Sequence, residues 1–542
     1  MLKSRPRLFV IPALLLALIV IFYANFPHIR LALGVMKRDT VRLVAIFRYG
    51  KSGYIAKVKQ QQTNTPVPAE DKLLETEYLP LRMTVTPLNK GNVQFASEGG
   101  AIAKIRNSFV LLDRLGHFYT YEHGELSKTN IKEVPNNLND YILHSGERLG
   151  GNYLRAHSLA YDGSTHRLYV GYTKFIDKSS NQFAVDSINI DESKASIEST
   201  GDWKNEFLGD TVSSSFGSQS GAGKIYILKR CLYISVGYSN EEFEGMLAEA
   251  QVPSSKFGKI FELNLDTHQA TVFAVGFRNA QGLTSDDQGT LYGVDQGPEG
   301  GDEINLLQRG KNYGWPYISY GVDYGKYTRD NGYKGSKPLD NSKFTPPLFA
   351  FIPSVATSTI SFLGDGVFAK EWKNSLLIGS LKGQTLYRAA LNDGHVVYVE
   401  PIWIGHRIRD IYIDSDAVYL LTDDPTLVTL SVDANALKVN VRNNGLFWDT
   451  EIKTCLRCHS FGSSTPTSTA PSLLHVYGRP VASDAFANYS DALKSKGGSW
   501  NDENLSSFLR NPNSYAPGTQ MPNLNLSDSE IRTIVKILKE NH

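Results

Sequence analysis

Three hydrophobic patterns divide this 542-residue chain. The first is a largely apolar run from Leu8 to Phe26, preceded by Lys3, Arg5 and Arg7. At helical rise it spans ~28 Å, close to the hydrocarbon thickness of a bilayer, and Pro12 near its start is tolerable there. The run is longer than the usual apolar core of a signal peptide, and no convincing small-residue cleavage site follows it. An uncleaved transmembrane helix over residues 1–30, with its basic end cytoplasmic, is therefore favoured over a cleaved signal peptide. Either way the bulk of the chain is exported; with the anchor uncleaved, the expected location is a bacterial periplasm, with the chain tied to the inner membrane.

The second pattern fills residues 78–435. Six short β-prone runs recur there: Phe109-Val110-Leu111-Leu112, Leu168 to Tyr172, Leu232 to Val236, Leu291 to Val294, Leu376 to Gly379 and Val418 to Leu421. They are spaced irregularly, with turn signals between them. Imperfect repetition of strand clusters at this scale predicts a mainly β protein, a six-bladed β-propeller with one run per blade. A long sandwich is the alternative and explains the repetition less well. Residues 31–77 are mixed, with Gln60 to Pro66 reading as a linker. The third pattern is a 3–4 periodicity at the end of the chain, Ile531, Ile534, Val535 and Leu538, which predicts a C-terminal helix.

Composition narrows the function classes. Hydrophobic residues make up 41%, enough for large cores, and the length suggests two or three domains. A net charge of +1 without a basic tract gives no reason to expect nucleic acid. There are three cysteines and no disulfide framework; Cys231, in an apolar run, reads as a core thiol.

The other two cysteines carry chemistry. Cys455-Leu456-Arg457-Cys458-His459 is a C-x-x-C-H sequence, the spacing at which two thiols add to the two haem vinyl groups and the adjacent His459 binds iron. Zinc or thiol-redox sites share part of this pattern. A low-spin haem iron needs a second axial ligand, and Met521 is the one methionine after residue 246. Taken with Pro471-Ser472-Leu473, Arg479, Tyr489 and Trp500 in this order, residues 440–542 closely resemble a class I cytochrome c, an all-α domain. The resemblance implies one covalent haem c. It also implies that the Pro471 carbonyl accepts the Nδ1 proton of His459, and that Arg479, Tyr489 and Trp500 lie near the propionates.

In the propeller region the densest motif is Gly276-Phe277-Arg278-Asn279-Ala280-Gln281-Gly282-Leu283. It is followed by Asp295-Gln296-Gly297-Pro298-Glu299-Gly300-Gly301-Asp302-Glu303 and then by Asn312-Tyr313-Gly314-Trp315-Pro316. Glycine and proline at this density mark loops held in special backbone shapes, and polar side chains on such loops read as a site. Acidic groups and loop carbonyls are also the oxygen ligands that Ca²⁺ prefers. With Gly258-Lys259-Ile260, Ser380-Leu381-Lys382-Gly383 and Arg407-Ile408-Arg409-Asp410, the segment resembles the soluble pyrroloquinoline quinone (PQQ)-dependent sugar dehydrogenases, six-bladed propellers that oxidise aldoses. The resemblance implies that Arg278, Asn279, Lys382, Arg407 and Arg409 contact the quinone. It further implies that the carbonyls of Gly297 and Pro298 hold a Ca²⁺, with Glu303 and Tyr313 as candidates for a second, structural one. Cations suit a tricarboxylated quinone, whose charges they neutralise.

One departure stands against these agreements. The family takes the sugar proton with a histidine just before a G-G-R segment. The matching stretch here is Gln219-Ser220-Gly221-Ala222-Gly223-Lys224, with Ser220 at the histidine position. His157 and His406 are the other histidines to weigh as the base, although packing or surface roles suit both better. Two functions follow as expectations: a quinoprotein oxidising a sugar or related alcohol and passing electrons to its own haem and on to a respiratory redox partner, or an electron-transfer cytochrome whose propeller only binds.

Overall fold

A computed structural model describes residues 27–60, 68–76, 79–89, 93–145, 154–177, 180–194, 196–213, 223–237, 249–323, 339–364, 368, 372–433, 455, 459–460, 470–486 and 489–540. The apolar run 8–26, Ser220 and Cys458 lie outside these residues. The chain divides into two compact units, residues 1–70 with 85–429 and residues 71–84 with 430–542.

Five four-stranded sheets follow one another along the chain, at 101–128, 156–213, 225–275, 280–351 and 357–403. A sixth is built from Ile408–Ile413, Val418–Thr422 and Thr426–Val432, and is continued by Pro80–Pro87 and Glu70–Glu75. The first strand of each sheet neighbours the first strand of the next, and the sixth returns to the first. This closed ring is a six-bladed propeller. Its first strands line a central channel, with Ile102, Leu159, Tyr226, Leu283, Ile360 and Ile411 among the lining residues. Asp410 ties the blades together there. Its carboxylate accepts from Ile102 N (2.9 Å), Thr359 Oγ1 (3.2 Å) and Lys224 Nζ (3.2 Å), on blades 1, 5 and 3.

All six hydrophobic runs are the second strands of their blades: Ser108–Leu112, Arg167–Asp177, Cys231–Val236, Leu291–Asp295, Ser375–Ser380 and Val418–Thr422. A strand paired on both edges and packed on both faces has no solvent side, so it reads as an unbroken apolar run. Leu291–Asp295 and Ser375–Ser380 are buried at every position. Each buried Leu, Ile or Val there contributes about 1.5–3 kcal/mol.

Residues 31–77, expected as a linker and juxtamembrane stretch, hold structure on both sides of residues 61–67, so that most of the expected Gln60–Pro66 linker lies outside the described residues. Helix α1 (Pro27–Gln60), broken at Gly50 (φ 70°), is followed by the strand Glu70–Glu75 of blade 6. Tyr54 and Val58 of α1 are buried against Leu115, Leu138, Tyr141 and Ile142, the last three on helix α2 (Leu138–Ser145). Among the described residues no helix is long and apolar enough to cross a membrane.

The C-terminal part is helical: α3 (Asp491–Lys494), α4 (Asp502–Arg510), α5 (Pro512–Tyr515) and α6 (Asp528–Glu540). Ser490 and Asn501 cap α3 and α4 by accepting from Leu493 N and Asn504 N. Ser527 and Glu530 form a reciprocal capping box at the start of α6. The expected periodicity of α6 holds, with Ile531, Ile534, Val535 and Leu538 buried in one core with Leu505, Phe508 and Leu509 of α4.

Candidate functional site

The chain carries two sites, one in each unit. In the helical unit an apolar pocket is lined by Cys455, His459, Val476, Phe486, Leu505 and Met521. His459 Nδ1 lies 2.7 Å from the Pro471 carbonyl, as the cytochrome resemblance implies, so that bond fixes the ring and leaves Nε2 for a metal. Burial, helped by nearby Arg479, lowers the pKa of His459 and keeps the imidazole in the neutral form a metal needs. Pro471, Arg479, Tyr489 and Trp500 all line the same pocket. Arg479 donates to the carbonyls of Ser472 (2.6 Å) and Leu474 (3.4 Å), yet its Nε is buried without a partner. An apolar slot with an oriented neutral imidazole at one wall, a thioether at another and an unmet guanidinium nitrogen fits an iron porphyrin with anionic propionates.

In the propeller the second site gathers where the six first strands begin. A small pocket of about 10 Å³ is lined by Gly99 and Gly100 before blade 1, Arg155 and His157 of blade 2 and Lys224 before blade 3. Gln281, Ser358 and Arg409 complete it from blades 4, 5 and 6. Gln281 Nε2 donates to Asn279 Oδ1 (2.7 Å), and Asn279 Nδ2 to Gln296 Oε1 (3.0 Å). The backbone amides of Arg278 and Asn279 both donate to Asp295, at 2.9 and 2.6 Å. Burial outweighs those donors and raises the Asp295 carboxyl to about 6. Gly276 (φ 87°) enters this turn so closely that a Cβ would lie 2.3 Å from Asn312 Oδ1. Arg407 and Arg409 both bind Asp423. Burial pushes Asp423 up, but Arg409 and Arg407 prevail and hold its carboxyl below its usual range. Lys382 sits on the exposed turn after Ser375–Ser380, its amide donating to Val355 O (3.1 Å).

The two histidines weighed as bases differ. His406 Nδ1 is 2.7 Å from Asp424 Oδ2. His157 is buried, stacked on Phe183 with centroids 5.7 Å apart, and its Nε2 has no partner. Burial, then the charges of Arg155 and Lys224, push its pKa well below the ordinary value. Accepting a proton between two cations is unfavourable, so His157 is a poor base.

The Gly297 carbonyl accepts Arg278 Nη1 at 2.9 Å. The Tyr313 phenol is closed between Leu306 O (2.5 Å) and Gln308 N (2.9 Å), with its ring stacked on Phe277. Glu303 is buried and accepts from Asn305 Nδ2 (3.1 Å). Among the described residues no group of three or more His, Cys, Asp or Glu side chains could hold a metal ion. Sequence motifs passed over Arg155 and Asp423, which flank the strands Ala156–Asp162 and Val418–Thr422.

The family model for glucose/sorbosone dehydrogenase matches residues 101–429, the propeller from its first blade to its last. The chain belongs to this family. Among its relatives, aldose sugar dehydrogenase YliI of Escherichia coli is 32% identical over 179 residues, 32% of this chain and 45% of that one. A cytochrome c homolog of Rickettsia prowazekii is 43% identical over 88 residues, 16% of this chain and 50% of that one. The chain thus spans about half the length of the curated relatives it matches. A solved glucose dehydrogenase superposes with a TM-score of 0.53 at 23% identity, covering 65% of this chain and 99% of its own, which bears on the fold. The chain is a sugar dehydrogenase-family propeller with a cytochrome c-homologous C-terminal region.

Proposed function

We propose that this family member is a membrane-anchored, periplasmic electron-transfer protein whose propeller oxidises a sugar or related alcohol with PQQ and passes the electrons to one covalent haem c. The observation that carries it is the pairing, in one chain, of a cationic pocket at the end of the propeller channel with an oriented His459 in an apolar haem-sized slot. Cys455 and Cys458 attach the haem, and His459 and Met521 ligate its iron.

When bound, the quinone supplies the two-electron acceptor. Arg407, Arg409 and Lys382 hold its carboxylates, and Asp423 keeps the two arginines parallel rather than mutually repelled. Arg278 and Asn279 are presented by the Asp295-anchored turn, where Asn279 reaches the pocket through Gln281. Tethering gives the haem a high effective concentration at its donor.

Alkaline-washed membranes test anchoring and catalysis together. The haem should stay in the pellet if residues 8–26 remain as an anchor, and soluble haem would show a cleaved signal peptide. Anaerobic addition of PQQ in calcium-containing buffer, then aldose, should reduce the haem slowly. No PQQ binding would leave the second reading, an electron-transfer cytochrome with a non-catalytic propeller, which Ser220 and the buried His157 favour.

Met521→Ala tests the axial ligand. The far-red charge-transfer band of Met–Fe(III) ligation should disappear and the potential fall, because a thioether favours reduced iron. An unchanged spectrum would assign the ligand elsewhere, to His475 or Lys494 for instance.

A further inference from the structure

Arg155 precedes the first strand of blade 2 (Ala156–Asp162) and is only 8% exposed. Its backbone carbonyl accepts from Thr173 N (3.0 Å), but among the described residues its guanidinium has no hydrogen bond and no ion pair. Every other cation around it is matched. Lys224 has Asp410, Arg407 and Arg409 share Asp423, and Arg114 has Glu98 at 2.7 Å. Burial, then Arg409 and Arg114, lower the Arg155 pKa to about 9, while Asp423 and Glu98 oppose them from a distance. The pocket it lines contains no carboxylate. A buried charge left uncompensated is strongly destabilising, so the fold keeps this guanidinium at a cost that an arriving anion would remove.

We propose that Arg155 is the receptor for a ligand carboxylate at the end of the propeller channel, with Gln281 and Ser358 beside it. The pocket has room for about one water-sized group. It is too small for a sugar or quinone ring and takes only a charged end of a ligand whose body lies outside. Neutral His157 adds no competing charge. The inference rests on the reading of this end of the channel as the ligand site, and it adds a residue outside the family motifs. The carboxylate comes from the quinone or from an acidic sugar substrate, a uronate or aldonate.

Calorimetric titration of the full, haem-loaded chain separates these sources. The probes are PQQ, D-glucuronate with and without PQQ, and neutral D-glucose as control. Arg155→Met removes the charge at similar volume, and Arg155→Lys keeps a cation. The expected result is a loss of roughly 30-fold or more in affinity for the carboxylate probe in Arg155→Met, partly restored in Arg155→Lys. The loss falls on PQQ if the cofactor supplies the carboxylate, and on glucuronate if the substrate does. Ligand-free Arg155→Met should melt at or above the wild-type temperature, because an unpaired buried charge is gone. Equal binding of both probes by wild type and Arg155→Met would overturn the proposal. So would failure of both to bind wild type, or a ligand-free Arg155→Met that melts well below it, which would make Arg155 structural. Arg155-dependent binding of glucuronate without PQQ binding would keep this inference and remove the quinone. Unaltered PQQ-linked haem reduction in Arg155→Met, with binding unchanged, would do the reverse.

Discussion

Ser220→His is expected to raise aldose-dependent haem reduction by ~10²–10⁴ over the wild-type chain, the range a positioned general base contributes. A serine hydroxyl cannot take the sugar proton unaided at neutral pH. The nearest buried alternative, His157, would have to become a cation beside Arg155 and Lys224. The described backbone resumes at Gly223 and is well anchored there. A Cβ on Gly223 would lie 2.0 Å from Ser235 O, Lys224 N donates to Ser235 Oγ (2.8 Å), and Lys224 Nζ reaches Asp410. Stopped-flow haem absorbance after PQQ loading reads the gain. Brisk turnover by the wild type, or no gain in a variant that binds PQQ normally, would dispose of Ser220 as the missing base.

The largest expected loss of stability belongs to Asp302→Ala. The Asp302 carboxylate is fully buried and accepts from Gly297 N (2.9 Å), Ser354 Oγ (2.9 Å), Val355 N (2.9 Å) and Ala356 N (2.6 Å). It therefore clamps the Gly297 loop of blade 4 to the entry of blade 5. Each buried donor left unmet costs about 1–3 kcal/mol, so a total loss of about 4 kcal/mol or more is expected, against a typical stability of ~5–15 kcal/mol. Asp302→Asn should cost less, since burial already pushes the carboxyl pKa up and makes its charge expensive. Urea unfolding followed by tryptophan fluorescence measures both. A loss under about 1 kcal/mol for the alanine variant would mean that water replaces the carboxylate at those four donors.

Much of this architecture was legible because of where burial falls. The six apolar runs that announced the blades are their second strands, the ones with no solvent face, such as Leu376 to Gly379 within Ser375–Ser380. The first strands escaped notice because they face a channel and mix polar residues with apolar ones, as in Thr357–Leu363. The haem slot was legible down to the Pro471 carbonyl, because covalent attachment and axial ligation demand fixed residue types at fixed spacing. Arg155 carries no spacing of that kind; only burial without a partner marks it. The helix within 31–77 went unread because one buried side chain per turn, as at Tyr54 and Val58, is too sparse to stand out.

Blade 6 joins strands from opposite ends of the propeller sequence. Pro80–Pro87 lies beside Thr426–Val432, Leu88 N donates to Pro425 O (2.8 Å), and Asp433 N donates to Pro80 O (2.9 Å). Arg82 and Asp433 add an ion pair at 2.9 Å across the same seam. The ring can shut only once residue 432 has emerged, and until then the early strands wait with open edges. Closing a loop of that length is an entropic bottleneck rather than a weak bond. The seam therefore orders folding along the chain: the cytochrome c-homologous segment begins beyond it and follows the last blade, whose arrival first allows the ring to lock.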